Sequence, residues 1–111
     1  MSASKNPSKP HEIWAKRFTH ARLASGISQK QLGIAAGLDE FVASARINRY
    51  ERGVHQADYP MALRLASVLD VPVAYFYCDG DEIAAMLLAF HRAPKIARRL
   101  AMKALEESAS S

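Results

Sequence analysis

The stretch "ISQKQLGIAAGLDEFVASARINRYERG", residues 27–53, decides the fold because it holds two short helical patterns that meet at a glycine. Ser28 is a suitable N-cap, and Gln31 three residues later completes a capping box, so a helix is predicted over about 29–36. Gly37 is expected to end that helix, because glycine readily adopts the left-handed conformation that follows many helices.

A second helical pattern follows Gly37. It is predicted to cover about residues 40–52, starting after Asp39 or later, and to end at Gly53; Asp39 would be its cap if the helix is lengthened at its start. Two short helices joined by a glycine turn, the first opening with "ISQKQL" and the second closing with "INRYERG", form a helix-turn-helix pattern.

Helical patterns account for almost all of residues 11–107, and strand signals are absent. Further helices are predicted at about 11–25 and after the N-cap Asp58, and a short one after Pro72 should hold Val73, Phe76 and Tyr77. Two more are predicted at about 82–91, capped by Asp79 or Asp81, and at about 94–107. The fold class is therefore all-α.

The stretch from about Trp14 to Tyr77 resembles the five-helix domain of the phage-repressor-like (Xre/Cro–repressor) helix-turn-helix family. The residues that carry the resemblance are Phe18, Arg22, Gly26, Ser28, Gln29, Leu32, Gly37, Ile47, Tyr50, Glu51, Gly53, Leu65, Ala66, Leu69 and Phe76. It implies a repressor-like DNA-binding domain at 11–78. A flexible arm is expected at 1–10, and 79–111 would add one or two C-terminal helices.

The third helix carries the candidate DNA contacts. Arginine can bond guanine bidentately and asparagine can bond adenine, so its outward polar residues suit a base-reading role. The resemblance implies that Ser44, Ala45 and Arg49 touch bases and that Gln29 touches the DNA backbone. The predicted contact set is Gln29, Lys30, Ser44, Ala45, Arg46, Asn48, Arg49 and Arg52. The alternative is a solvated basic face, which the added charge of Lys16 and Arg17 makes less favourable.

Glu51 falls on the inward side of the third helix, near Ile47 on a helical wheel. A buried carboxylate needs a partner. The resemblance implies that Arg22 is that partner and that the pair locks the third helix against the bundle. The alternative is that both residues are ordinary surface charges.

The distance from Gly37 to Glu51 is about four residues longer than is usual in the family. Four residues make about one helical turn, so the insertion either lengthens the third helix or forms a loop against the second. In a lengthened helix, Phe41 and Val42 point away from the buried face. They would then meet thymine methyl groups, a partner or a neighbouring helix.

Charge is unevenly distributed along the chain. Residues 1–53 carry a net charge of +5, residues 54–90 carry −4 and residues 91–111 carry +3. This pattern suggests a face for a polyanion, although scattered surface charge would produce it too.

The sixth predicted helix is apolar over too wide an arc for a free surface helix. Its residues Ile83, Leu87 and Phe90 are predicted to contribute to a homodimer, as is common for helix-turn-helix proteins on palindromic sites. The alternative is that the sixth and seventh helices pack on their own chain.

Other function classes fit poorly. One cysteine excludes an internal disulfide and a cysteine-rich zinc site, and the four histidines lack metal-ligand spacing. No catalytic motif is present, and a Cys78–His91 nucleophile and base would be the only enzymatic option. No signal or membrane span is evident, so a cytoplasmic protein is expected.

These patterns indicate a sequence-specific double-stranded DNA-binding regulator, a homodimeric repressor without a cofactor or metal. The alternative is a protein-interaction module of the antitoxin or coactivator type, with a protein partner and only secondary DNA binding.

Overall fold

The computed structural model describes residues 10–110, and every regular element in this range is a helix. The elements are α1 (Pro10–Ser25), α2 (Gln29–Ala35), α3 (Ala43–Glu51), α4 (Tyr59–Leu69), a 3₁₀ helix (Val73–Tyr77), α5 (Asp81–Arg92) and α6 (Lys95–Ser110). The prediction of an all-α fold is confirmed. The arm predicted for residues 1–10 lies outside the described residues, apart from Pro10, which begins α1.

Local sequence signals set several helix ends. The Ser28 hydroxyl accepts from the Gln31 backbone N–H at 3.0 Å, and the Gln31 side chain accepts from the Ser28 N–H at 3.2 Å. Asp58 caps α4 by accepting from the Met61 N–H at 2.9 Å. Caps of this kind typically contribute about 1 kcal/mol each. Gly37 has a φ of +96°, which a residue with a side chain would rarely adopt.

Aromatic rings form the centre of the core. Trp14 packs against Phe18 at 4.7 Å and against Phe76 at 5.1 Å between ring centroids, and Tyr50 meets Trp14 edge-on at 5.9 Å. These rings bring together α1, α3 and the 3₁₀ helix. Fully burying a large apolar side chain contributes about 1.5–3 kcal/mol, so this cluster holds α3 firmly against the domain.

The two helices of the helix-turn-helix cross at Gly33. A Cβ placed on Gly33 would lie only 2.7 Å from the Ala43 Cβ and 3.0 Å from its Cα. Ala43, the first residue of α3, is fully buried. A glycine in α2 therefore lets the start of α3 approach the α2 backbone closely.

The predicted start of the third helix at about residue 40 is wrong, because α3 begins at Ala43. Asp39 accepts the Phe41 N–H on its side chain at 2.8 Å and the Val42 N–H on its carbonyl at 3.1 Å. Asp39 thus caps a tight turn and does not cap the helix. Residues 40–42 form this turn, so the insertion does not lengthen the helix.

The 3₁₀ helix holds Val73, Phe76 and Tyr77, as predicted for the short piece after Pro72; within it Tyr75 is buried and Tyr77 is half exposed. One detail of the C-terminal half differs from prediction. Neither Asp79 nor Asp81 caps α5. Gly80 holds the N-cap position without a side-chain bond, since the Asp81 carboxylate bonds Arg17 instead.

The C-terminal helices attach through polar contacts around α5. His91 lies 3.2 Å from an Asp70 carboxylate oxygen, and Arg92 donates to the Asp70 carbonyl at 3.1 Å. At the far end, Arg98 donates to the Phe90 carbonyl at 2.7 Å and also bonds the His91 carbonyl, so it satisfies the end of α5. Beyond this corner, α6 has no buried residue.

Candidate nucleic-acid interface

A cluster around Glu51 fixes α3 in place. Arg22 donates to both carboxylate oxygens of Glu51, from Nε to Oε2 and from Nη2 to Oε1 at 3.2 Å. The side chains are 15% and 9% exposed, so the pair is largely removed from water. Arg22 also donates to the Ile27 carbonyl at 3.0 Å, which secures the α1–α2 loop. The arrangement joins α1 to α3 as the resemblance implied.

Gln29, the first residue of α2, belongs to the same cluster. Its amide nitrogen donates to Glu51 Oε1 at 2.9 Å, which holds a half-buried side chain in one orientation. An amide nitrogen carries two N–H groups, and this bond uses one of them. The other remains available at the N-terminus of the helix, next to the exposed side chain of Lys30.

The outward face of α3 has the composition predicted for it. Ile47 and Tyr50 are buried, and Asn48 is half buried. The exposed residues of the predicted contact set are Ser44, Ala45, Arg46 and Arg49 in the helix and Arg52 directly after it. Neither Arg46 nor Arg49 has an acidic or hydrogen-bonding side-chain partner among residues 10–110, so both guanidinium groups are available.

Four basic side chains line one hollow beside α3: Arg46, Arg49, His55 and Arg64. Arg64 also donates to the Ala36 carbonyl at 2.9 Å, so it satisfies the C-terminal end of α2 from α4. Sequence reasoning missed Arg64, although it is the only Lys or Arg between residues 54 and 90. Arg52 lines a separate hollow with His11 and Lys16 of α1.

Arg17 is one of the charges expected to make a solvated basic face less favourable as an alternative, but its charge is buried and paired. Arg17 is only 8% exposed, and it donates to the Cys78 and Asp79 carbonyls at 2.8 Å each. It also bonds an Asp81 carboxylate oxygen at 2.9 Å. This bond, followed by the charges of Lys16 and Arg17, holds the pKa of Asp81 below its usual range. Arg17 therefore fastens α1 to the start of α5.

The turn before α3 exposes an aromatic side chain. Phe41 is 89% exposed, more than any other large hydrophobic residue among those described, and Val42 beside it is 44% exposed. On either side of the turn, Leu38 packs against the core and Ala43 is fully buried. The backbone of the turn is anchored at both ends while its apolar side chains face outward.

Two of the three residues predicted to dimerise, Ile83 and Phe90, lie on a face of α5 that residues 10–110 leave exposed. Ala84 is buried and Leu88 packs against the core, whereas Ile83 is 55% and Phe90 37% exposed. Leu87 is half buried between these two faces. A groove between α5 and α6 continues the uncovered surface, lined mainly by alanines with Met86, Phe90 and Leu105.

The residues of the enzymatic alternative have other partners. The Cys78 thiol bonds the Gly80 carbonyl at 3.4 Å, and His91 bonds Asp70. Within residues 10–110, no three His, Cys, Asp or Glu side chains are grouped as a metal site would require. No helix in that range has both the length and the apolar character needed to cross a membrane.

Comparison with known proteins agrees with this geometry. A family model described as helix-turn-helix (HTH_3) matches residues 20–76. A solved structure, described as the crystal structure of the transcriptional regulator BswR, is 41% identical in sequence with a TM-score of 0.79. The match covers 84% of this chain and 92% of that chain. No curated protein gives a significant match.

Proposed function

The chain belongs to the Xre/Cro-like helix-turn-helix family, HTH_3, and is a DNA-binding transcriptional regulator. On this basis we propose that it binds double-stranded DNA in a sequence-specific manner, inserts α3 into the major groove and acts as a repressor. The similarity to a protein described as a transcriptional regulator supports this class over an enzyme.

The observation that carries the proposal is the combination of a helix held from behind and two exposed arginines on its outer face. The Glu51 cluster holds α3 against the domain, while Arg46 and Arg49 are exposed and have no side-chain partner among residues 10–110. Arginine side chains held in this way can bond the O6 and N7 atoms of guanine in the major groove. A regulator benefits from such a support, because a base-reading side chain must be held in one register.

Around this helix, other side chains are assigned to the DNA backbone. Gln29 and Lys30 at the start of α2 offer N–H donors where a helix terminus also favours phosphate. The hollow that contains His55 and Arg64 lies beside α3 and suits a neighbouring phosphate. Backbone contacts of this kind position the protein without reading sequence.

The test is selection of binding sites from a random duplex pool at near-physiological salt, with the wild type and Arg49→Ala. We expect the wild type to enrich a palindrome and Arg49→Ala to relax one position per half-site, at a cost of about 1–3 kcal/mol there. Arg99→Ala, which removes an exposed arginine from α6, is the matched control and should leave the profile unchanged.

A reporter gene downstream of the enriched site tests the repressor role: the wild type should lower expression and Arg49→Ala should restore it. If no sequence is enriched and weak binding only fades with salt, specific recognition is refuted.

We also propose that the molecule binds as a homodimer through the uncovered face of α5 and through α6. The apolar side chains that support this are Ile83, Leu87 and Phe90 on α5 and Ile96, Leu100 and Leu105 on α6, most of them exposed in the single chain. A second copy would cover these surfaces and place two α3 helices on one palindromic site.

The same exposed surface favours a second candidate function, a module that binds another protein and for which DNA binding is secondary. The two candidates differ in their response to salt. Several phosphate contacts make DNA binding fall steeply with salt, whereas an apolar protein contact is insensitive to it.

A further inference from the structure

The turn before α3 is unusual because it presents an apolar side chain at the end of a helix built for DNA. The Phe41 ring is 89% exposed, although burying a phenylalanine is ordinarily favourable. Nothing in residues 10–110 covers it. An exposed aromatic in this position gains free energy only when another molecule contacts it.

Hydrogen bonds tie the backbone of the turn to the start of α3. Asp39 accepts two hydrogen bonds from the backbone of the turn: its carboxylate accepts from the Phe41 N–H and its carbonyl accepts from the Val42 N–H. The Val42 carbonyl accepts from the Arg46 N–H at 2.9 Å, which joins the turn directly to the first turn of α3. The backbone of Phe41 is therefore tied to the start of α3, so the ring is carried to the DNA together with this end of the helix.

The position of the turn, directly before α3, would bring Phe41 into the major groove. In helix-turn-helix proteins the N-terminal residues of the second helix meet base edges, and Phe41 lies two residues before that end. The exposed Glu40 beside it makes contact with the phosphate backbone unfavourable, because the charges repel. Base edges are the remaining surface of the DNA, and the apolar feature among them is the C5-methyl group of thymine.

We propose that Phe41 is a specificity-determining residue that contacts a thymine methyl group in the major groove, once in each half-site. This inference rests on the proposed function, since it requires α3 to enter the groove. It assigns an apolar reading element to the turn inserted between α2 and α3, separate from the arginines that bond guanine.

The test replaces each thymine of the selected binding site, one at a time, by deoxyuridine, which lacks only the methyl group. At one position per half-site, wild-type affinity should fall about fourfold, as expected for one buried methyl group. Phe41→Ala should bind the thymine site about tenfold more weakly than the wild type and be insensitive to uridine at that same position. A coupling of this kind isolates the contact between ring and methyl.

Two controls keep the outcome clear. Leu23→Ala, which shortens another exposed apolar side chain in α1, should retain the wild-type uridine profile. Thermal unfolding of Phe41→Ala should match the wild type, because the ring has no core contact to lose.

Failure of this inference differs from failure of the proposed function. If a site is enriched and Arg49→Ala relaxes it, but Phe41→Ala responds to every uridine as the wild type does, the thymine contact is refuted alone. If Phe41→Ala binds DNA normally and lowers the oligomeric mass, the ring contacts protein and the inference is equally refuted. If no site is enriched, sequence-specific recognition is refuted, and the thymine contact, which depends on it, is refuted as well.

Discussion

At the scale of single residues, small side chains and backbone contacts matter as much as the arginines. Gly33 and Ala43 bring α2 and α3 close enough that a single added methyl group would collide with the backbone of α3. Because Ala43 is the first residue of α3, a shift forced at this contact would displace the outward side chains of the helix.

Gly33→Ala should destabilise the domain. The new methyl group would lie within 3.1 Å of three atoms of Ala43, so α3 must shift, and such overpacking typically costs about 1–3 kcal/mol. Urea unfolding measures the change in the free energy of unfolding. Gly80→Ala adds the same methyl group where no atom lies within 4 Å and the φ of −70° suits alanine, so any cost it shows measures only the loss of glycine at the N-cap of α5 and not overpacking. A change below about 0.5 kcal/mol for Gly33→Ala would mean that α2 and α3 are not tightly packed there.

At the scale of elements, one arginine from α1 holds the segment at the start of α5. Arg17 donates to two carbonyls and one carboxylate within residues 78–81, and its guanidinium group lies 5.8 Å from the Tyr75 ring. The partners at 78 and 79 are main-chain oxygens that do not titrate. Asp81 is the member of the contact that can be protonated, so part of this attachment depends on pH.

Replacing Asp81 by asparagine should lower the melting temperature in a pH-dependent way. The pKa of Asp81 is lowered in the folded protein, chiefly by the bond from Arg17. The contribution of the charged carboxylate to stability is therefore present above about 3.9, the pKa of aspartate in the unfolded chain, and is lost as pH falls from there through the lowered pKa of the folded protein. The difference in Tm between wild type and Asp81→Asn should be positive at neutral pH and vanish in strong acid. The difference is expected to be small, because the carboxylate is solvent-exposed and screened.

Asp79→Asn is the control for this experiment, since Arg17 bonds the Asp79 carbonyl and the substitution keeps it. A Tm difference for Asp81→Asn that does not shrink as pH falls from neutral into strong acid would show that the carboxylate charge is not the cause.

At the scale of the whole molecule, the chain divides into a well-packed part and an open one. The aromatic core and the Glu51 cluster hold together the elements from α1 to the 3₁₀ helix, whereas α6 contributes no buried residue. An amphipathic helix that exposes Ile96, Leu100 and Leu105 is stable in water chiefly when another surface covers that face. This imbalance is the physical basis for expecting a second copy.

The double variant Ile83→Glu, Phe90→Glu should therefore shift the protein from dimer to monomer, because a carboxylate buried in an apolar interface is unfavourable. Sedimentation equilibrium should give twice the 12.2-kDa chain mass for the wild type and that mass itself for the variant. The monomer should also bind a palindromic site more weakly than the dimer, since it engages one half-site at a time.

Leu23→Glu places the same charge on an exposed apolar residue of α1 and should leave the dimer intact. A wild type that sediments as a single chain at micromolar concentration would argue against the homodimer.

Much of the domain could be predicted from the sequence because the signals were local. Ser28 and Asp58 cap helices through bonds to groups three residues away. The burial of Ile47 and Tyr50 and the exposure of Arg49 follow from the period of one helix. Glu51 fell on the inward side for the same reason, although its partner Arg22 was inferred from family resemblance.

The tertiary structure decided what depends on distant parts of the chain. Arg17 looked like a surface charge until its partners 61 and 62 residues away buried it. Arg64 showed no role until the end of α2, 28 residues earlier, was placed against it. The inserted residues 40–42 could suit a helix or a turn, and the close approach of Ala43 to Gly33 accompanies the turn. The sequence alone determined which segments are helical, because caps and periodicity act over a few residues. Only the folded chain determined which charges remain free for DNA, because that depends on contacts that folding brings together.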